Sequence, residues 1–212
     1  MSDASRDFHK PVRRSPDSFD RNFAADDPAE ASRVAHATAS ALLSRVREQP
    51  HDEVIDRLVT FTDAHGIATI AELWAHSPAR SLPGALWRLY LLQLMIHDDP
   101  TTAALLYERG RTRLSSADVV IAGAPAPASP DELVSLIDLI LRGVFAGDFA
   151  LALERAASFS RVVSAGATDL ADDYDESEPV RASAFTTRAL RLDTYASDLA
   201  AAAALWRRDG LT

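Results

Sequence analysis

SLPGALWRLYLLQLMIHDDP, residues 81–100, is the most apolar stretch of the chain, and whether it crosses a membrane or fills a core decides the fold. Pro83 and Gly84 mark its start. Leu86, Leu89, Tyr90, Gln93 and Ile96 then follow helical spacing, while Trp87, Leu91, Leu94 and Met95 cover much of the remaining circumference. The apolar run from Ala85 to Ile96 is interrupted by Arg88 and Gln93 and is far shorter than the roughly 20 residues a membrane span needs. A helix apolar nearly all round that cannot span a bilayer belongs in the centre of a domain. No membrane association is expected.

The same punctuation recurs on either side. Asp27-Pro28-Ala29-Glu30 opens a helix expected to run to about Gln49, with Asp27 as cap and proline at the first position. A second helix is predicted over 51–64, ending at Gly66. A short third has Thr69 and Glu72 as a capping box, carries Leu73 and Trp74, and stops at Pro78. Beyond residue 98, Asp99 caps a helix starting at Pro100 and expected to close at Gly110. Ser115 or Ser116 could cap a further short helix through Val119, Val120 and Ile121. AGAPAPASP, residues 122–130, is the clearest internal linker and a candidate division between two helical halves.

Ser129-Pro130-Asp131-Glu132 combines a capping box with proline at the first helical position. The helix it opens is expected to run over 130–146 and stop at Gly147, with Asp138 and Arg142 four residues apart. Asp148 caps the next, expected to end at Gly166. Its start, GDFALALERA, is similar to the turn of a tetratricopeptide repeat, but no second copy follows at that family's period of about 34 residues. DLADDYDESEP, residues 169–179, reads as a solvated acidic loop. The last helix is expected from about Pro179 to Arg208. With about eight helices and no strand, the sequence predicts an all-α fold: an orthogonal helical array or irregular bundle over 29–212, with the helices at 84–97 and 130–146 inside. Residues 1–28 are polar and unperiodic and read as a disordered tail.

Composition removes several chemistries. There is no cysteine, hence no disulfide framework, thiolate zinc site or cysteine nucleophile. The six histidines form no HxxxH pair, and no P-loop, GxGxxG or GxSxG occurs. No catalytic, metal or cofactor residue is therefore assigned, and no cofactor is expected. The N-terminus lacks an apolar h-region, which points to a cytoplasmic protein. A net charge of −9 opposes nonspecific nucleic-acid binding without excluding a local basic face.

Three groups of residues stand out. Phe185, Leu192, Leu199 and Trp206 recur every seven residues along the last helix, flanked by Ala189, Ala196 and Ala203. This seam is the candidate contact surface for a protein partner or a second copy of the chain. Arg181, Arg188 and Arg191 share one face of the same helix and would serve a DNA-binding regulator. Arg88 lies inside an apolar helix and must pair, snorkel or line a cavity. Asp138 is a candidate partner for it, and Trp87, Arg88 and Tyr90 could together hold a small ligand.

The segments LPGALWRLYLL (82–92) and DLAAAAALWRRDGL (198–211) resemble small all-helical actinobacterial proteins of unassigned function. The composition suits such a source: Lys10 is the sole lysine among 22 basic residues. The resemblance implies a cytoplasmic accessory protein and carries over no functional residue. The leading expectation is a non-enzymatic helical interaction or regulatory module that binds another macromolecule.

Overall fold

A computed structural model describes residues 28–44, 67–116, 128–143 and 145–211. Among them are seven helices and no strand: α1 (Pro28–Ser44), α2 (Ile67–Trp74), α3 (Leu82–Asp98), α4 (Pro100–Ser116), α5 (Pro130–Leu141), α6 (Phe149–Tyr174) and α7 (Pro179–Trp206). The all-α expectation holds. The helix expected at 51–64, the tail before Pro28 and most of the 122–130 linker lie outside the described residues.

Helix starts follow the local chemistry. Ser81 caps α3 by accepting from the Gly84 amide at 3.2 Å. Asp99 accepts from the Thr102 amide at 3.0 Å and starts α4. Ser129 and Glu132 form the complete reciprocal box at the head of α5. Asp148 accepts from the Leu151 amide at 3.2 Å and opens α6. Each satisfies amide groups that the first helical turn leaves unpaired.

Helix stops depart from the sequence reading. The α2 helix begins at Ile67, so Thr69 lies inside it rather than capping it, and it ends at Trp74 instead of Pro78. The α5 helix ends at Leu141 rather than near 146, because Gly143, not Gly147, adopts the left-handed conformation (φ 66°) that terminates it. The α4 helix runs through Gly110 to Ser116, and α6 runs through Gly166 to Tyr174. Half of the expected acidic loop is therefore helical.

Gly110 and Gly166 are not stops because they face each other. A Cβ on Gly110 would stand 1.8 Å from the Val162 carbonyl oxygen, and one on Gly166 would stand 1.8 Å from that of Leu106. At this crossing the two backbones touch, which only hydrogen side chains permit. Tyr107 stacks on Phe159 beside the crossing at 5.8 Å.

The α3 helix lies in the core as expected, with Leu86, Leu89 and Leu92 fully buried and contacts to α1, α2, α4, α5 and α7, and α6 joins it there with a long buried face of its own. Its buried alanines, among them Ala152, Ala156, Ala157 and Ala167, let α4 and α7 approach from two sides. The α5 helix, apolar almost all round, leaves Leu139 47% exposed. One hydrophobic cluster still draws residues from all seven helices. Trp74 inserts beneath α1, its indole donating to Thr38 Oγ1 at 3.0 Å. No described helix is long and apolar enough to cross a membrane.

Candidate functional site

The seam of the last helix is the packing surface between α7 and α6. Leu192 and Leu199 are buried, as are Ala189, Ala196 and Ala203. Phe185 stacks on Tyr174 at 6.0 Å at one end of the helix pair, and Trp206 meets the edge of Phe149 at 5.0 Å at the other. Ser164 Oγ donates to the Ala189 carbonyl at 2.8 Å midway. The heptad spacing forms a continuous stripe, and the stripe is met by the chain's own α6.

Arg88 pairs, but with Asp198 and not with Asp138. Its Nε and Nη2 lie 2.9 and 2.8 Å from Asp198 Oδ2, and Nη1 donates to the Gly84 carbonyl at 2.9 Å. The two side chains are only 14% and 15% exposed. Asp138 instead accepts from the Gln93 amide and faces Arg142 at 3.9 Å. Trp87 and Tyr90 pair with each other, rings 5.6 Å apart, both half-buried against the core. The three residues proposed for a small ligand are thus neighbours in sequence, with the guanidinium committed to α7.

The Arg88–Asp198 pair pins the first half of α3 to α7. The start of α3 is fixed as well, since a Cβ on Gly84 would fall 2.0 Å from the Pro78 carbonyl oxygen. Further along, the two helices leave a groove of about 260 Å³. Its floor is Leu91, Leu94 and Met95 from α3, with Leu192 and Tyr195 from α7. One rim carries Asp98 and Asp99, the other Arg188 and Arg191. Arg88 Cζ lies 5.9 Å from the Tyr195 ring, which joins the groove to the ion pair.

The charges on these rims are distributed unevenly. Asp99 accepts hydrogen bonds from Thr102, which hold its carboxyl below the usual aspartate range, and the charge of Arg188 adds to the effect. Asp98, Arg188 and Arg191 make no hydrogen bond or ion pair among the described residues. Arg181, the third member of the predicted basic face, is spent elsewhere. Its guanidinium covers the Tyr174 ring at 4.1 Å and pairs with Glu178 at 3.5 Å. Arg188 and Arg191 both line this groove, and Arg181 does not.

Sequence reasoning misses the acidic rim and most of the floor. The signal is present: 91, 94, 95 and 98 on α3, and 188, 191, 192 and 195 on α7, are each one helical face. A second opening of about 510 Å³ lies over α4 and α6, but its arginines are consumed. Arg109 bridges Asp169 and Asp173 at 2.9 and 2.7 Å, and Arg113 holds Asp172 at 2.8 Å. Among the described residues no cluster of His, Asp and Glu could hold a metal ion. The chain matches no protein-family model, and no curated protein or solved structure was found to be similar to it.

Proposed function

We propose that this chain is a cytoplasmic, non-catalytic helical interaction module, folded as one unit over 29–212, that binds a protein through the α3–α7 groove. One observation carries the reading: among the described residues Arg188 and Arg191 form no ion pair, and they stand beside an apolar floor on which Leu94 is 39% exposed. An apolar floor with unneutralised charges at its edge suits a protein surface, since interfaces combine a desolvated centre with a polar rim. In this reading the seam residues Phe185, Leu199 and Trp206 hold α7 in place, and Leu192 borders the contact.

A DNA-binding role for Arg188 and Arg191 is the second reading, favoured by the same lack of an ion pair among the described residues. Asp98 and Asp99 across the groove oppose it, because phosphates would meet carboxylates within one binding site. A small ligand at Trp87, Arg88 and Tyr90 would have to displace Asp198 from Arg88.

The test is capture by the tagged chain from native lysate, with and without nuclease, using the parent and Arg188→Glu/Arg191→Glu. A protein retained after nuclease by the parent and lost by the variant supports the module. Capture that vanishes with nuclease transfers the assignment to DNA. Equal capture by parent and variant removes the groove from the proposal.

A further inference from the structure

The α3–α7 groove carries opposite charges on its two rims, and among the described residues no ion pair closes it, although the charge of Arg188 reaches Asp99. Asp98 and Arg191 are exposed, and neither is engaged by any described residue. A binding partner must therefore satisfy an acidic rim, a basic rim and an apolar floor together. A polyanion satisfies the basic rim and is repelled by the acidic one. An acidic peptide meets the same conflict. A second copy of this chain meets neither, because a two-fold axis places the acidic rim of each copy on the basic rim of the other. The two floors, each with an exposed Leu94, then face one another.

Resting on the reading of the groove as a protein-binding surface, we propose that its occupant is a second copy of this chain, docked isologously with Asp98 of each protomer against Arg188 and Arg191 of its partner. The groove is small, about 260 Å³. Interfaces below roughly 1,200 Å² fall in the weak, transient class. The dimer therefore exchanges with monomer as concentration changes rather than persisting at every dilution. Its specificity lies in the charges, since like charges brought face to face are strongly unfavourable.

Charge reversal in the full-length protein tests this directly. Asp98→Arg leaves the Asp99 cap of α4 untouched, and Arg191→Asp alters an exposed side chain, so both variants should keep the parent's helical circular dichroism. In sedimentation equilibrium, the parent should pass reversibly from monomer to dimer with rising concentration. Each single variant should weaken self-association at least tenfold, having arginine facing arginine or aspartate facing aspartate. An equimolar mixture of the two variants should associate more tightly than either variant alone, because both 98–191 pairs become opposite in sign again while Arg188 still faces one introduced arginine. The double variant Asp98→Arg/Arg191→Asp should recover part of the association alone, Arg188 opposing the rest. A parent that stays monomeric over the whole concentration range overturns the proposal, as does association unchanged by either single variant, or a mixture that fails to associate. These failures are separable from failure of the underlying reading. A monomeric parent that still loses its nuclease-resistant partner on Arg188→Glu/Arg191→Glu removes only the second copy, whereas a partner retained by that variant removes the groove.

Discussion

Two helix pairs in this molecule carry arginines on one side and aspartates on the other, and they end differently. Where α4 crosses α6, glycine faces glycine, the backbones touch, and Arg109 and Arg113 reach straight to Asp169, Asp172 and Asp173. Where α3 lies beside α7, Arg88 and Asp198 close one end, and further along Leu91, Met95, Leu192 and Tyr195 line a groove. Axis separation in a helix pair is set by the side chains at the contact. Charge composition alone therefore does not make a binding surface. The glycine-closed pair neutralises its own charges, whereas the α3–α7 pair neutralises Arg88 with Asp198 and, among the described residues, leaves Asp98, Arg188 and Arg191 without an ion pair.

The largest test breaks the closed pair. Gly166→Ala or Gly110→Ala places a methyl group 1.8 Å from a carbonyl oxygen of the opposite helix, so α4 must move off α6. Overpacking against backbone costs about 3 kcal/mol, at the upper end of the usual range. For a chain of this size that lowers Tm by roughly 6–12 °C, readable by thermal circular dichroism. The double substitution should cost less than the two singles added, because one displacement of α4 accommodates both methyls. Full additivity would mean that the two glycines do not share a contact.

The next test opens the pinned end of the other pair. Arg88→Leu leaves the carboxylate of Asp198 in a site 15% exposed with no guanidinium beside it. Removing one member of such a pair destabilises by about 2 kcal/mol, less than for a fully buried pair. Arg88→Leu/Asp198→Leu should lie closer to the parent in urea unfolding than Arg88→Leu does. Equal losses in the single and double variants would show that Arg88 acts through packing or through its bond to the Gly84 carbonyl.

How these differences read in the sequence depends on the range of the interaction. Helix starts are legible because a cap is local: Ser129 and Glu132, Asp99 and Asp148 all act within three residues of themselves. Glycines mislead for the opposite reason. Gly110 and Gly166 are indistinguishable in sequence from a helix stop such as Gly143, and only the partner 56 positions away decides between them. The long buried face of α6 is hidden because alanine-rich segments look less core-like than leucine-rich ones, although small side chains admit two neighbours at once. Arg88 is legible as a residue that must pair, yet its partner Asp198 lies 110 residues on, beyond any spacing argument. The groove joins two candidate sets that look separate along the chain, Arg188 and Arg191 with the seam residue Leu192, because their common neighbour is α3.

A smaller effect is expected from the charges over the closed pair. Arg113→Gln removes ion pairs to Asp172 and Asp169 whose members are 31–64% exposed. Solvent screening limits such surface pairs to about 0.5 kcal/mol. Urea unfolding should therefore show almost no loss, in contrast to the glycine variants beneath the same surface. A loss comparable to that of Gly166→Ala would mean that the ion pairs, rather than the backbone contact, hold α4 on α6.

The smallest effect lies on the acidic rim of the groove and is seen only as a dependence on pH. Asp99 has its carboxyl held below the ordinary value of 3.8, chiefly by hydrogen bonds from Thr102 and further by Arg188. A carboxyl with a lower value in the folded state binds its proton more readily when unfolded, so stability rises with pH across that interval. The contribution of Asp99 is thus fully present above 3.8 and is lost as the pH falls through the lower folded value. Asp99→Asn retains a good helix cap while removing the ionisable group. The acid limb of stability against pH should then be shallower than the parent's, with the neutral-pH helix content of α4 preserved. Arg188→Gln should flatten the same limb by less, because Thr102 supplies most of the shift. An effect of Arg188→Gln as large as that of Asp99→Asn would mean that the two rims are coupled across the groove within one molecule, leaving less charge for a partner to engage.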